Sequence, residues 1–179
     1  MPTTDKSYLA ASRSGAVPAK KDGRIALSEI DSPVLQLGVA YWRSLCGERK
    51  IPSRGDVAPR GLSSLLRNTA LLRVVDSGMD YDYRIVGDAY VMAHGVSFQG
   101  KLWSETDTLS PGYHAMIKSI YDRVVRKAEP VAIRGWIERS SQQSEPIYSE
   151  YVFLPLGTDG ATVDHILVFA VYAPREKLD

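Results

Sequence analysis

The stretch that decides the fold is SPGYHAMIKSIYDRVVRKAEP, residues 110–130. Ser110 followed by Pro111 predicts a helix start, because a hydroxyl can cap free backbone N–H groups and proline fits the first turn. Glu129-Pro130 ends the pattern. Apolar side chains recur at helical spacing in between, at Tyr113, Met116, Ile117, Ile120, Tyr121 and Val124. This stripe predicts an amphipathic helix that packs one face against a core.

Strand patterns flank this helix on both sides. The predicted strands are residues 69–75, 81–86, 131–139, 147–156 and 163–172. A turn at Asp76-Ser77-Gly78 joins the first pair as a hairpin, Thr158-Asp159-Gly160 joins the last pair, and residues 89–94 form a short helix. The order β-β-α-α-β-β-β predicts an α+β fold with a five-stranded antiparallel sheet and the inserted helices on one face.

A further helix precedes the sheet. Ser32-Pro33 repeats the start signal and Gly47 gives a C-terminal stop, so residues 33–46 are predicted to be helical, outside the core of the sheet domain. Alternate residues on both faces of the last strand are apolar, so both faces of the sheet need cover. The inserted helices can cover one face, and helix 33–46 or a partner subunit can cover the other.

The whole chain divides into four predicted segments. Residues 1–31 are predicted to be a poorly ordered or disordered tail, because their mixture of Ser, Lys, Asp, Ala, Gly and Pro has no period. Residues 32–61 hold the N-terminal helix and a proline-punctuated connector. The sheet domain spans 62–175, and 176–179 is a short tail.

Composition bounds the function classes. The chain has 22 basic and 21 acidic residues and a net charge of +1, which gives no electrostatic reason to expect nucleic acid or an anionic membrane surface. No apolar run approaches the ~18 residues of a membrane span, and the first thirty residues lack a signal-peptide core. We therefore expect a cytoplasmic protein. Its single cysteine, Cys46, is interpreted as a core residue.

The element order and several short motifs resemble a bacterial family of stand-alone PAS-like proteins, the PAS_5 type common in alphaproteobacteria. The motifs are Tyr41-Trp42, the connector Pro52-Ser53-Arg54-Gly55-Asp56-Val57-Ala58-Pro59, the strand end Tyr83-Arg84-Ile85-Val86-Gly87, Phe98 with Gly100-Lys101, and Leu154-Pro155-Leu156 with Asp159-Gly160. The resemblance covers about Ser32 to Tyr172. It implies a PAS fold and a sensory or regulatory role, but no particular ligand, since PAS domains use one cavity for many ligands.

A ligand cavity is expected between helix 111–127 and the sheet. Its predicted lining is Tyr83, Met92, His94, Trp103, Tyr113, Met116 and Tyr121. Aromatic walls with a few polar tips suit a small organic molecule. The same residues suit an ordinary filled core, so the two interpretations compete.

The connector supplies a second candidate site, formed by Tyr41, Trp42, Arg54 and Asp56. One interpretation makes it a docking epitope, or makes Arg54 a clamp for an anionic ligand. The other makes Arg54 and Asp56 a staple that ties the N-terminal helix to the sheet through charge-assisted bonds. Trp42 is expected to pack there, and its indole N–H then needs an acceptor.

No cofactor or metal is assigned from the sequence. Some haem-binding PAS domains ligate iron from the helix equivalent to 111–127, and the resemblance therefore points to His114 as the candidate ligand. His114 lies off the main helical stripe and has no second signal beside it. In the light-sensing branch of the PAS domains that this chain resembles, covalent flavin photochemistry needs a cysteine within the helical segment. None lies between Asp88 and Lys127, whereas non-covalent flavin stays open. No pair of histidines has metal-ligand spacing. Catalytic motifs are also missing from the sequence, so no catalytic residue is assigned and no enzyme is predicted.

These observations favour a sensory or regulatory protein that binds a small molecule or a protein partner in signal transduction. A homodimer through helix 33–46 and the outer sheet face is expected, because apolar surface there must be hidden. Two alternatives remain. One is an enzyme of a similar cone-shaped α+β fold, which would show an Asp–His dyad in the cavity. The other is a ligand-free structural adaptor, which would show no cavity.

Overall fold

The computed structural model describes residues 23–106, 108–137 and 147–174. Its helices are α1 (Pro33–Cys46), α2 (Asp88–His94) and α3 (Pro111–Lys127). Its strands are β1 (Gly23–Ile25), β2 (Thr69–Val75), β3 (Asp80–Val86), β4 (Val131–Ile137), β5 (Ile147–Leu156) and β6 (His165–Pro174). The predicted α+β class and element order are therefore confirmed.

All the described strands form one antiparallel sheet in the order β1-β4-β5-β6-β2-β3. The predicted count of five strands is one too low, because β1 adds to the edge of β4, where Arg24 lies opposite Ile133. Three residues are too few to show a strand period, so the pairing is visible only in three dimensions. The predicted tail 1–31 extends too far, because β1 lies within it at Gly23–Ile25. Residues 1–22 of that tail, and the predicted tail 176–179, lie outside the described residues.

Both predicted helix starts are confirmed. The Ser32 hydroxyl accepts a hydrogen bond from Leu35 N and the Ser110 hydroxyl accepts one from Tyr113 N, each at 3.4 Å. Proline occupies the first turn of both helices. Gly95 ends α2 in the left-handed conformation, with a φ of 73°.

The two faces of the sheet are covered by different helices. Residues opposite each other in register share a face, so Phe153 lies with Val168 and Val152 lies with Phe169. The Phe153 ring packs against Tyr121 of α3, with the ring centroids 5.7 Å apart. On the other face, α1 crosses so close to Phe169 that a Cβ on Gly38 would lie 2.8 Å from the Phe169 Cε2 atom.

Helix α1 therefore supplies the cover that the two-sided apolar strands require. It stands outside the layer formed by the sheet and the inserted helices, as predicted. Its side chains Leu35, Val39 and Trp42 are nonetheless buried and belong to the same hydrophobic core as the sheet. None of the described helices is both long and apolar enough to cross a membrane.

Candidate functional site

An aromatic cavity lies between α2, α3 and the sheet. Its lining residues are Tyr83, Tyr90, His94, Phe98, Trp103, Leu109, Tyr113, Ile117, Tyr121, Tyr151 and Phe153. Of the predicted lining, Tyr83, His94, Trp103, Tyr113 and Tyr121 are present. Two predicted methionines are absent from the wall, since Met92 is 71% exposed and Met116 is 38% exposed. A methionine in a helical pattern does not by itself reveal which side of the stripe it occupies.

Six wall residues are additional to the prediction, and part of their signal was in the sequence. Ile117 belongs to the helical stripe of α3. Tyr151 and Phe153 alternate along β5, so they share the face that α3 covers. Tyr90, Phe98 and Leu109 come from a short helix and from irregular segments, where no periodicity marks the inward side.

The void inside these walls has a volume of only about 10 Å³. That is room for about one water molecule. Tyr83 from β3 and Trp103 from the short 3-10 helix Trp103–Glu105 help to fill the cavity, with their ring centroids 6.3 Å apart. An organic ligand can enter this cavity only if side chains move, so the observed packing is that of a filled core.

The polar groups of the cavity are mainly tyrosine hydroxyls. The hydroxyl oxygens of Tyr83 and Tyr121 lie 2.9 Å apart in a buried hydrogen bond. Desolvation by burial raises the pKa of both phenols well above the usual range. Burial likewise raises the pKa of Tyr90 and Tyr151 in the same wall. The cluster therefore stays neutral at physiological pH, and each hydroxyl can donate or accept one bond toward a neutral ligand.

Trp103 is the donor in this wall that the fold leaves unused. Its side chain is 2% exposed, and its indole Nε1–H finds no hydrogen-bond acceptor in the described part of the chain. Its ring stacks on His114 at a centroid distance of 4.1 Å. The His114 Nε2 atom lies 3.1 Å from the Trp103 carbonyl and 3.2 Å from the Thr106 hydroxyl. His114 thus holds the Trp103 segment against the start of α3.

A second, larger space opens at the edge of the same layer. This edge groove has a volume of about 460 Å³ and lies between α3 and the strands β1, β4 and β5. Its lining residues are Tyr113, Met116 and Ile120 from α3, Ile133, Arg134, Gly135 and Trp136 from β4, Ser149 from β5, and Gly23 and Arg24 from β1. Tyr113 also lines the aromatic cavity, so one ring separates the two spaces.

The connector fastens α1 to the sheet, but by different bonds from those predicted. The Trp42 indole N–H donates to the Pro155 carbonyl at 2.8 Å, which supplies the acceptor that the sequence required. The Gly157 N–H donates to the Pro52 carbonyl at 2.9 Å. Tyr41 joins the connector to α1, because its hydroxyl accepts from Ala58 N at 3.2 Å.

The predicted Arg54–Asp56 staple is wrong in its partners. Asp56 accepts from Ser53 N at 2.8 Å and pairs with Arg49 at 2.8 Å, so it closes its own turn rather than reaching the sheet. The Ser53 bond and then the Arg49 guanidinium lower the Asp56 pKa. Arg54 donates to the Val57 carbonyl at 3.3 Å, also locally. Side chains two residues apart satisfy a tight turn more readily than a distant strand.

Among the described residues, no carboxylate lines the aromatic cavity, and the one histidine that does is His94. An Asp–His pair does occur at Asp164 and His165, 2.7 Å apart, but it lies at the start of β6 outside the cavity. Within the described ranges no three His, Cys, Asp or Glu side chains are grouped as a metal site. The site therefore offers neutral hydroxyls, the indole N–H of Trp103, the imidazole of His94 and aromatic surface.

Comparison with known proteins adds the family. The PAS_5 model, described as a PAS domain, matches residues 30–170. No curated protein sequence matches the chain. Among solved structures, a light-oxygen-voltage domain described with a flavin analogue is 10% identical with a TM-score of 0.45, over 66% of this chain and 85% of that one. An RNA-binding light-oxygen-voltage receptor is 10% identical with a TM-score of 0.40, over 62% of this chain and 33% of that one.

Proposed function

This chain belongs to the PAS domain family, and we propose that it is a signal-transduction protein that binds a small neutral molecule in its aromatic cavity. The family supports a sensory role for the fold. The observation that carries the proposal is the unused indole N–H of Trp103 in a cavity wall. A buried donor without a partner costs about 1–3 kcal/mol. A ligand that accepts a hydrogen bond would remove that penalty.

Ligand entry must change the packing, because the present void is only about 10 Å³. The hydroxyl pair Tyr83–Tyr121 spans the two sides of the layer, from β3 to α3. A polar ligand can replace this bond with bonds to itself, which would let α3 move away from the sheet. The protein would then have two packings, and the ligand would stabilise the more open one.

The proposed output is a second protein that reads the position of α3 or of the sheet. Homodimerisation and a cytoplasmic location belong to the same proposal. A ligand-free adaptor is the second candidate, and the filled cavity is the observation that favours it. In that case the aromatic cluster would serve only as a rigid core.

Native mass spectrometry of the full chain, purified from its own host, separates the two candidates. The sensor proposal expects a retained small molecule in the wild type and its loss in Trp103→Phe, which removes the N–H but keeps an aromatic ring. Trp136→Phe is the matched control, because Trp136 lines the edge groove and not the aromatic cavity, so a molecule held in the aromatic cavity should be retained in this variant. An apo mass for the wild-type protein would refute the sensor proposal and favour the adaptor.

A further inference from the structure

The edge groove exists because small residues face α3 at the end of the sheet. Gly135 of β4 lies directly opposite Ser149 of β5, so neither strand fills the space beneath the helix. The Ser149 hydroxyl donates to the Gly135 carbonyl at 3.0 Å, which satisfies the one polar side chain at this position. The volume of the edge groove, about 460 Å³, is within the range of small-molecule sites, about 300–1,000 Å³.

Apolar side chains form the helix side of the edge groove. Met116 is 38% exposed although it is apolar, and Ile120 lies one turn further along α3. Ile133 faces them from β4, and its partner in register, Arg24, lies on the same face of the sheet. The groove therefore has an apolar body with the Arg24 guanidinium at its β1 edge. Arg134 also lines the groove, but its guanidinium pairs with Asp31 at 3.3 Å.

A second arginine stands beside this charged end. Arg24 also lines an adjoining recess of about 150 Å³, whose other lining includes Arg123 from α3 and Glu129. Neither Arg24 nor Arg123 makes an ion pair with a described residue, and one carboxylate, Glu129, accompanies the two guanidiniums. The local charge is thus net positive where the apolar groove ends.

We propose that the edge groove binds an amphipathic carboxylate, with its apolar body against Met116, Ile120 and Ile133 and its carboxylate at Arg24 and Arg123. This proposal does not rest on the function proposed for the aromatic cavity. Burial of the apolar body supplies the non-directional part of the affinity. The guanidiniums supply the preference for an anion, since each can donate two hydrogen bonds to a carboxylate.

Calorimetric titration of the full chain with octanoate, and with octanol as a neutral match of the same chain length, tests this assignment. We expect octanoate to bind about 25-fold more tightly than octanol, because each of the two exposed ion pairs contributes about fivefold. Arg24→Gln should weaken octanoate binding about fivefold. Arg126→Gln, at an exposed position of α3 outside both recesses, should leave it unchanged.

A second pair of variants tests the location. Met116→Glu places a negative charge in the groove and should abolish octanoate binding, whereas Met92→Glu, at another exposed methionine, should not. In the wild type labelled at its methionine methyl groups, octanoate should shift the NMR signal of Met116 and leave those of Met79 and Met92 in place.

Three results would overturn the proposal. Octanol binding as tightly as octanoate would remove the anion preference. Methyl shifts at Met79 or Met92 would place the ligand elsewhere. If octanoate does not bind and Met116→Glu converts a dimer to a monomer in sedimentation, the groove is an interface between two copies of the chain instead.

Discussion

Replacement of Gly38 by alanine tests whether α1 is docked on the sheet as the structure shows. Gly38 lies in the middle of α1, where alanine is normally the better helix former by about 1 kcal/mol. Its added Cβ, however, would lie 2.8 Å from the Phe169 Cε2 and Cγ atoms. Phe169 is fully buried in β6, so its ring has little room to move aside.

The two effects oppose each other, and their sizes decide the sign. Overpacking of a filled core costs about 1–3 kcal/mol, and a contact this short with a ring calls for the upper end. Subtracting the helix-propensity gain of about 1 kcal/mol leaves a net loss of about 2 kcal/mol in the free energy of unfolding. For a chain of this size, that loss lowers Tm by about 4–8 °C.

Thermal and urea unfolding measure the effect, with Gly112→Ala as the matched control. No described atom lies within 4 Å of a Cβ at Gly112, in the first turn of α3, so this variant should gain about 0.5 kcal/mol. Adding Phe169→Leu to Gly38→Ala should recover part of the loss, because the smaller side chain leaves space for the methyl group. If Gly38→Ala is as stable as the wild type, α1 does not pack on Phe169 and the docked arrangement is wrong.

Three further predictions concern the anchor of α1 and the pH limits of the fold. Trp42→Ala should lower stability by about 3–5 kcal/mol and speed amide exchange in α1, because it removes a buried ring and its bond to Pro155; unchanged exchange in α1 would contradict the anchor. At high pH, the tyrosines with raised pKa favour the neutral phenol, so their stabilisation is present below the ordinary phenol pKa of about 10 and is lost as pH rises above it. In a titration followed by phenolate absorbance, these tyrosines should ionise only when the protein unfolds, and ionisation before unfolding would mean that the cluster is open to solvent. The tyrosines concerned are Tyr81, Tyr83, Tyr90, Tyr121, Tyr151 and Tyr172. At low pH, the turn that contains Asp159 should weaken. The Thr162 hydroxyl and the backbone N–H groups of Ala161 and Thr162 lower the Asp159 pKa to about 2, so the ionised carboxylate stabilises the fold above the ordinary aspartate pKa of about 3.9, and this stabilisation is lost as pH falls toward 2. An NMR titration midpoint near 3.9 for Asp159 would show that this turn is not formed.

The elements that could be predicted are those whose pattern is local. The stripe of α3, the Ser-Pro starts and the alternation of the five longer strands all arise from short-range geometry, so their order could be read from the sequence alone. Strand β1 could not, because three residues carry no period and their only reason to be extended is the free edge of β4. The docking of α1 was half predictable: the sequence shows that both sheet faces need cover, but not whether the cover comes from the same chain.

The residues that line the aromatic cavity could be predicted where a regular helix or strand fixes the direction of the side chain. Residues in irregular segments could not. Tyr113 and Tyr121 lie on the inner side of a regular helix, whereas Met116, on the same stripe, turns to the edge groove at the side of α3. The predicted staple in the connector was wrong for a related reason. Arg54 and Asp56 suggested a long-range bond by their chemistry, but a proline-bounded turn offered them nearer partners.

Tyr113 links the two proposed sites, because its side chain forms part of the wall of each. It is 8% exposed, so it cannot turn toward either space without changing the volume of the other. If a molecule in the aromatic cavity pushes this ring outward, the edge groove must lose volume and its affinity for a carboxylate must fall. Linkage then requires that octanoate weaken binding of the cavity ligand by the same factor. Tyr113→Ala removes the shared wall and should abolish this mutual effect while both ligands still bind. Mutual weakening that persists in Tyr113→Ala would mean that the coupling runs through the movement of α3 as a whole.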